Sequence, residues 1–338
     1  MNSKIKPTLL FLFFFNFWYS QTITFISETT NHPLPKISVF AKDGNILGYT
    51  DIDGKIEKSA FKPDQEKFKL IYENSILAEL SYAEINKKFV KLNDRVREIE
   101  HKEKKKTKPA KFLFIKGNFN AYVTVNNMLN CYVDGIATYV FDNKTRKVKD
   151  IHVEQYRIFR LENAKNEKKE TGSWDYNSFL ELPKMKNVGN YEDYKSKNLK
   201  IKELKTNFKD EIEITGEALR EKELAFLGYR FYDIRSILNL SFEKDSKKLL
   251  RDFTEYNDIT FIKLKHKSEP NFNEVISYKN FYPTELDYGD KDNTPEVKYN
   301  RNASNYGTKY WEDSSFPNMQ TIFSSFFKQD LQEKQNAK

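Results

Sequence analysis

The chain has 338 residues, of which 38% are hydrophobic and 31% charged, and its formal net charge is +8. It contains 11 glycines and one cysteine, which leaves little material for Gly-rich nucleotide-binding loops and excludes an intramolecular disulfide or a cysteine-based zinc site. Aromatic residues make up 15% of the chain, and because aromatic side chains suit pleated, half-buried surfaces, this content favours a mainly β fold.

The first twenty residues have the pattern of a secretory signal. Lys4 and Lys6 precede the apolar run Thr8–Tyr19, which is too short for a bilayer-spanning helix of about 20 residues. We expect cleavage after Ser20, and no cysteine lies directly after the run to accept the lipid of a bacterial lipoprotein. A membrane-anchored helix or a buried first strand is the alternative interpretation. The sequence thus predicts an exported protein, periplasmic, outer-membrane-associated or secreted, with no transmembrane segment in the mature chain.

Residues 21–98 alternate short strands with turn residues, and we assign them to a first domain. The turns Asp43-Gly44 and Asp53-Gly54 mark strand ends, because glycine takes a positive φ without steric cost. This spacing predicts a β-sandwich of about seven strands. The candidate strands are ITFIS, KISVFA, ILGYT, FKLIYE, ILAELSY and KFVKL.

The segment ITFISETTNHPLPKISVFAKDGNILGYTDIDGKIE resembles the carboxypeptidase-regulatory-like domain, a transthyretin-like sandwich at the front of many exported proteins of Bacteroidota. The resemblance is carried by Leu34-Pro35 before a β-branched strand, by Gly48 ahead of Thr50-Asp51, and by the Asp53-Gly54 turn. It implies a structural or adhesive module without catalytic residues. None of the four histidines lies in a zinc-ligand motif of the carboxypeptidase type.

Asp51 and Asp53 have the alternating spacing of a calcium-binding loop. That loop also requires a third oxygen ligand before the glycine and a glutamate near its end, and neither is present at the required spacing. A turn is therefore the favoured interpretation.

Residues 99–109 form a predicted charged linker, with the run EHKEKKKTK at Glu100–Lys108. Such runs are usually solvated, and an exported protein has little access to nucleic acid, so we predict no nucleic-acid binding. The same charges permit attraction to anionic lipid or polysaccharide surfaces.

Residues 110–338 predict a second, β-rich domain. FNAYVTV, GIATYVFD and KDIHVEQYRIFRL alternate in polarity, as do ITFIKLKHK and NEVISYKNFY, which indicates a broad antiparallel sheet with one face covered. Two segments depart from this pattern: Glu217–Ile237 begins with good helix formers, and Phe316–Gln332 has helical apolar spacing, so we expect a C-terminal amphipathic helix on the sheet. The expected fold class is mainly β, a transthyretin-like sandwich followed by an antiparallel sheet with covering helices (α+β).

Two further residue patterns in this domain bear on chemistry. Asp150, His152 and Glu154 alternate with apolar residues and would project from one face of a strand at metal-ligand spacing. An amphipathic strand that shows all three to water is the simpler interpretation. Cys131, between Leu129 and Tyr132, is expected in the core.

The function predicted from these observations is a non-enzymatic exported cell-envelope protein with a binding or structural role. We assign no catalytic, cofactor-binding or metal residues and no cofactor, and expect an envelope protein, glycan or lipid as partner. YVDGIATYVFD followed by YRIF also resembles uncharacterised exported proteins of Bacteroidota, which adds compartment but no activity.

One alternative function is a carrier of lipid or another apolar ligand in a concave sheet, by fold-level analogy with LolA-type carriers. The other is a metal-assisted hydrolase centred on His152.

Overall fold

A computed structural model describes residues 21–72, 74–93, 102–103, 110–161, 175–186, 188–194, 199–219, 223–327 and 331–335. The signal segment 1–20 and most of the linker 99–109 lie outside these residues, so the expectations for them stay predictions. The fold is mainly β, as predicted, and its described strands form three sheets.

Seven short strands build an N-terminal β-sandwich, called the sandwich below. One sheet has the order β4-β1-β7 and the other β3-β2-β5-β6, and apolar residues of both share one core around Phe25, Val39 and Leu70. The strands are β1 (Thr22–Ser27), β2 (Ser38–Ala41), β3 (Ile46–Tyr49), β4 (Lys55–Glu57), β5 (Lys67–Tyr72), β6 (Ser75–Ser81) and β7 (Phe89–Leu92).

Eleven strands build the main sheet, in the order β12-β13-β15-β16-β17-β9-β10-β11-β18, with β8 on β17 and β14 on β15. All pairs are antiparallel except β8 with β17. The strands are β8 (Lys102–Glu103), β9 (Phe112–Val125), β10 (Met128–Asp142), β11 (Val148–Leu161), β12 (Leu199–Lys205), β13 (Lys209–Leu219), β14 (Leu224–Phe226), β15 (Tyr229–Glu243), β16 (Phe253–His266), β17 (Asn273–Gly289) and β18 (Leu331–Glu333).

The strands expected from polarity alternation are present and pair antiparallel: β10 pairs with β9 and β11, and β16 pairs with β17. The turn between β9 and β10 is Asn126-Asn127, with φ of 51° and 70°. A two-residue hairpin turn of this hand needs a positive φ at both positions, and asparagine tolerates it well. The turn residues and the alternating polarity of the flanking strands therefore favour the same antiparallel pairing.

The two faces of the main sheet are covered differently. One, the core face, carries Ala121, Val133 and Phe281, and packs on apolar residues of the segment 176–188. The other, the docking face, carries Tyr122 and Tyr278 and packs on a helix near the C-terminus and on apolar residues of the sandwich. The sandwich thus lies directly against the main sheet.

Helices are few and short in the described residues. No described helix has the length and apolarity needed to cross a membrane. The helices are α1 (Tyr82–Ile85) and α2 (Met319–Phe326), and the 3-10 turns are Lys58–Ala60, Tyr176–Phe179, Val188–Tyr194, Leu250–Asp252 and Tyr310–Glu312.

The expectation that Glu217–Ile237 leaves the β pattern is wrong. Its described residues belong to the end of β13, to β14 and to the start of β15, joined by the turn Leu227-Gly228. Helix formers at the start of the segment are overridden by the aromatic and β-branched residues that follow and by pairing on both sides of β15.

The C-terminal helix is present but shorter than the predicted range Phe316–Gln332. It ends at Phe326, and Leu331–Glu333 instead forms β18, which pairs with Phe159–Leu161 of β11. Without β18, the outer edge of β11 would expose unpaired backbone groups there, so pairing is favoured over helix at this point.

Candidate functional site

A row of polar residues crosses the docking face of the main sheet. Register alone creates it, since each member lies opposite the next on a neighbouring strand. We call it the polar row; in strand order it is Lys202, Glu213, Asn239, Asn257, Asn280, Asn120, Asp134 and Arg157.

Asparagine amides link the centre of the polar row. The Asn280 amide donates to Oδ1 of Asn120 at 2.7 Å, and Asn257 donates to Oδ1 of Asn280. Asn120 in turn donates to Oδ1 of Asn74, in the β5–β6 turn of the sandwich, at 3.3 Å. These amides, of which Asn120 and Asn280 are buried, bond one another and reach the sandwich, so the row acts as part of an internal interface.

Lys36 of the sandwich inserts its ammonium group between two carboxylates of the main sheet. Its Nζ lies 2.6 Å from Glu255 and 3.2 Å from Glu211, and donates to Ser241 Oγ at 2.8 Å. The lysine side chain is 7% exposed and the two glutamates 5% and 6%, so the group is buried. We call these four residues the Lys36 clasp.

The pKa values of Lys36 and Glu255 are both shifted towards the charged forms. Burial acts to lower the pKa of Lys36, but the carboxylates of Glu211 and Glu255 outweigh it and raise the pKa. Burial likewise acts to raise the pKa of Glu255, but Lys36 and Lys209 bring it below its ordinary value. Because an isolated buried charge is strongly unfavourable, each charge of the clasp depends on its partners.

Two further contacts beside the clasp join the sandwich to β12 and β13. The Ile52 amide donates to Oε2 of Glu213 at 2.9 Å, and Lys202 Nζ donates to Oδ2 of Asp53 at 3.1 Å. Asp51 accepts backbone N–H groups of Asp53 and Lys55, so Asp51 and Asp53 form the predicted turn and at the same time present that turn to the sheet.

A small polar cavity lies between the sandwich and the docking face. Its volume is about 40 Å³, and Lys36, Asn74, Tyr122 and Asn280 are among the residues that line it. Pockets for metabolites usually measure about 300–1,000 Å³, whereas one water needs only about 10–15 Å³ of such space. This cavity accommodates a few waters and no substrate-sized molecule.

The outer end of the polar row is a buried arginine pair. Arg157 binds Asp134 through Nε at 3.0 Å and Nη2 at 2.6 Å, and the hydroxyls of Tyr132 and Tyr310 donate to the same carboxylate. The Trp311 ring lies 4.0 Å from the guanidinium carbon. Bidentate pairing of this kind fixes geometry as well as charge, and here it holds the segment around Tyr310 against β10 and β11.

His152 is not displayed to water, contrary to the sequence expectation. It is only 9% exposed, because the segment after β17 packs over it. Its Nε2 lies 2.8 Å from Oδ2 of Asp292 and its Nδ1 3.1 Å from Oε2 of Glu296. Glu154 lies at an irregularity in the β10–β11 register and does not join this group; it accepts from Lys116 and from Thr138, the β10 residue opposite His152.

The side chains around His152 are compatible with two arrangements, a weak cation site and an ion pair with the histidine. One ligand atom each of Asp150, His152 and Asp292 lies within 4.8 Å of the others. Both ring nitrogens, however, already face a carboxylate. Burial acts to lower the pKa of His152, but hydrogen bonds to Asp292 and Glu296 raise it, which favours the imidazolium form and an ion pair.

Sequence reasoning located some of these residues and missed others. Cys131 is fully buried as expected, and burial raises the pKa of its thiol to about 12. The clasp and the polar row were missed, because their members are single polar residues within separate strands. The signal that identifies them is strand register, which one sequence does not contain.

Comparison with known proteins adds little. No protein-family model matches the chain, and no curated protein matches it. Among solved structures, one of lipovitellin, titled for its lipid–protein interactions, aligns with a TM-score of 0.28 and 8% identity over 57% of this chain. The alignment spans 27% of the lipovitellin chain, and a score this low carries no argument about fold or function.

Proposed function

We propose that the protein is a non-enzymatic, exported cell-envelope protein with a binding or structural role. The observation that carries this proposal is that buried lysine, arginine and histidine side chains are engaged by carboxylates. Lys36 is held by two glutamates, Arg157 by Asp134, and His152 by Asp292 and Glu296. These ion pairs join segments of the fold. The cavity between the sandwich and the docking face is too small to hold a substrate-sized molecule beside them.

Export is tested by N-terminal sequencing of the protein from fractionated cells. We expect a chain that begins at Gln21 in the periplasmic, outer-membrane or secreted fraction, because Lys4, Lys6 and Thr8–Tyr19 have the order of a signal segment. A chain that still begins at Met1 in the cytosol contradicts the proposal.

A metal-assisted hydrolase is the second candidate, and the spacing of Asp150, His152 and Asp292 is what favours it. Elemental analysis of purified protein and of the His152→Ala variant separates the two functions. We expect near-zero zinc and manganese in both proteins. A stoichiometric metal in the parent protein that is lost in His152→Ala would favour the hydrolase.

A carrier of lipid or another apolar ligand stays an alternative from the sequence. Side chains of the main sheet and of the segment 176–188 pack together on the core face, which supports a filled core over a ligand cavity. Native mass spectrometry of protein incubated with envelope lipids tests it. A bound lipid that survives transfer would support the carrier, and bare protein supports the role proposed here.

A further inference from the structure

The hairpin of β14 and β15 ends in a cluster of exposed apolar side chains. Leu224, Phe226 and Leu227 are 55%, 63% and 79% exposed, among the highest values for large apolar residues in the described chain. Together with Ala225, which is also exposed, they fill the consecutive positions 224–227. We call these three residues the apolar tip. Solitary exposed leucines are common, but a contiguous cluster marks an interaction site.

The turn of the apolar tip has an unfavourable residue at its apex. Leu227 and Gly228 both have positive φ, 47° and 81°, the combination that Asn126-Asn127 supplies elsewhere in this sheet. A leucine in the left-handed region costs roughly 1–2 kcal/mol, which asparagine largely avoids. Turn stability therefore does not explain why the most exposed position carries leucine, and strain of this kind points to function.

The apolar tip is held in place by its neighbours. The Lys267 amide donates to the Gly228 carbonyl at 2.8 Å, and the Tyr229 ring meets the His266 ring edge-on at 5.0 Å. Phe231, opposite Leu224, packs against the main core. The exposed side chains are thus presented on a braced hairpin, which lowers the entropic cost of binding.

Cationic side chains flank the apolar tip. Arg230 is exposed beside Ala225, Lys267 is exposed next to the turn, and Lys265 lies opposite Arg230 with its Nζ 4.8 Å from the centre of the Phe272 ring. Arg230 is paired with the nearby carboxylate of Glu223 at 3.2 Å, so the positive charge beside the apolar tip comes from Lys265 and Lys267. Without residues 1–20, which contain Lys4 and Lys6 and no acidic residue, the net charge of +8 becomes +6.

We propose that the apolar tip inserts into the headgroup region of an anionic lipid bilayer, with Lys265 and Lys267 at the level of the lipid phosphates. Leucine and phenylalanine at a projecting turn, with lysine and arginine alongside, is the composition of interfacial membrane anchors. Hot spots for protein partners are instead rich in Trp, Tyr and Arg and poor in leucine. The inference deepens the proposed binding role by naming a lipid surface as partner, and it rests on that role.

A fluorescent label at the apolar tip reports insertion at that site alone. Such a local measurement is needed because Thr8–Tyr19 of the full chain is also apolar and is a second candidate for contact with lipid. Cys131 is the only cysteine and is fully buried, so a thiol-reactive environment-sensitive dye reacts selectively with Leu224→Cys. The matched control is Phe208→Cys, because Phe208 is 58% exposed in the turn at the other end of β13.

With vesicles of phosphatidylcholine and phosphatidylglycerol, we expect the Leu224 label to brighten at least twofold and the Phe208 label to stay unchanged. Vesicles of phosphatidylcholine alone are expected to bind at least threefold more weakly, since the flanking cations lose their partners. No change at Leu224, an equal change at both labels, or equal affinity for the two vesicle types overturns the proposal.

The variant Leu227→Asn, made in the labelled Leu224→Cys protein, tests the apex residue without risking the fold. It is expected to lower vesicle affinity about tenfold by removing inserted apolar surface, while the melting temperature stays equal or rises because asparagine suits the turn. Phe208→Asn is expected to change affinity less than twofold. Unchanged affinity in Leu227→Asn overturns the proposal, whereas export and metal content test the proposed function separately.

Discussion

At the scale of single residues, Lys36 is the side chain whose replacement has the largest expected cost. Lys36→Met removes the buried counter-charge that Glu211 and Glu255 share and leaves Glu255 only the partly exposed Lys209, 3.8 Å away. Breaking a buried pair from one side typically costs about 3–5 kcal/mol of unfolding free energy. Urea denaturation measures the loss. Lys42→Met is the control, because Lys42 pairs with Glu66 at an exposed site, and its unfolding midpoint is expected to match the parent. Equal midpoints for all three proteins would refute a structural clasp.

His152 carries the expected pH dependence of stability. Its raised pKa means that the imidazolium pair stabilises the fold below the unfolded-chain pKa near 6.5, and that this contribution is lost as pH rises through the higher folded pKa. The charged groups that face the ring are Asp150, Asp292 and Glu296. The stability difference between the parent and His152→Gln is therefore expected to be largest at about pH 5 and to vanish at alkaline pH.

Asp292→Asn provides the complementary variant for His152. It removes one of the two hydrogen-bonded carboxylates, so the pKa of His152 falls and the loss of stability moves to lower pH. Measurements of unfolding free energy from pH 5 to 9 detect the move. A difference between parent and His152→Gln that does not vary with pH would rule out the ion pair.

Residue-scale predictions from sequence succeeded where the environment is local. Cys131 lies between apolar neighbours of a long strand and is buried, and Asp51 with Asp53 forms a turn. His152 was misplaced, because the segment that covers it comes 140 residues later. Lys36 was not identified, because its partners lie 175 and 219 residues away.

At the scale of elements, α2 is the helix that joins the sandwich to the main sheet. The ring of Phe323 lies 5.1 Å from that of Tyr122 and 6.1 Å from that of Phe40, so it contacts both units. Phe323→Ala is expected to lower the unfolding free energy by about 3–5 kcal/mol, the usual range for a buried phenylalanine. Thr321→Ala, at an exposed position of the same helix, is expected to have little effect. A loss below about 1 kcal/mol would contradict a central role for this helix.

The elements that sequence predicted well are those with period-two alternation over many residues. The β9-β10-β11 and β16-β17 hairpins belong to this class, and their turns contain residues suited to reversal. The prediction for Glu217–Ile237 was wrong because its first residues favour helix, whereas neighbouring strands pair with both sides of β15. The predicted end of α2 was wrong for a similar reason, since Leu331–Glu333 pairs with β11.

At the scale of the whole molecule, the sandwich and the main sheet form one body. The Lys36 clasp, the Asn120–Asn74 amide bond and the aromatic packing of α2 lie side by side on the docking face. The sequence predicted the mainly β class. It contained no information on the mutual packing of the two units, because that packing depends on which residues strand register brings to one face.

The central claim is that the buried charges of the docking face hold the two units together. Native-state amide hydrogen exchange of the full chain, read by mass spectrometry at increasing urea, tests it most directly. We predict that peptides from β1, β2 and β5 open at the same free energy as peptides from β9 and β10, and that Lys36→Met makes the sandwich open first. A sandwich that already opens several kcal/mol below the main sheet in the parent protein would contradict the account.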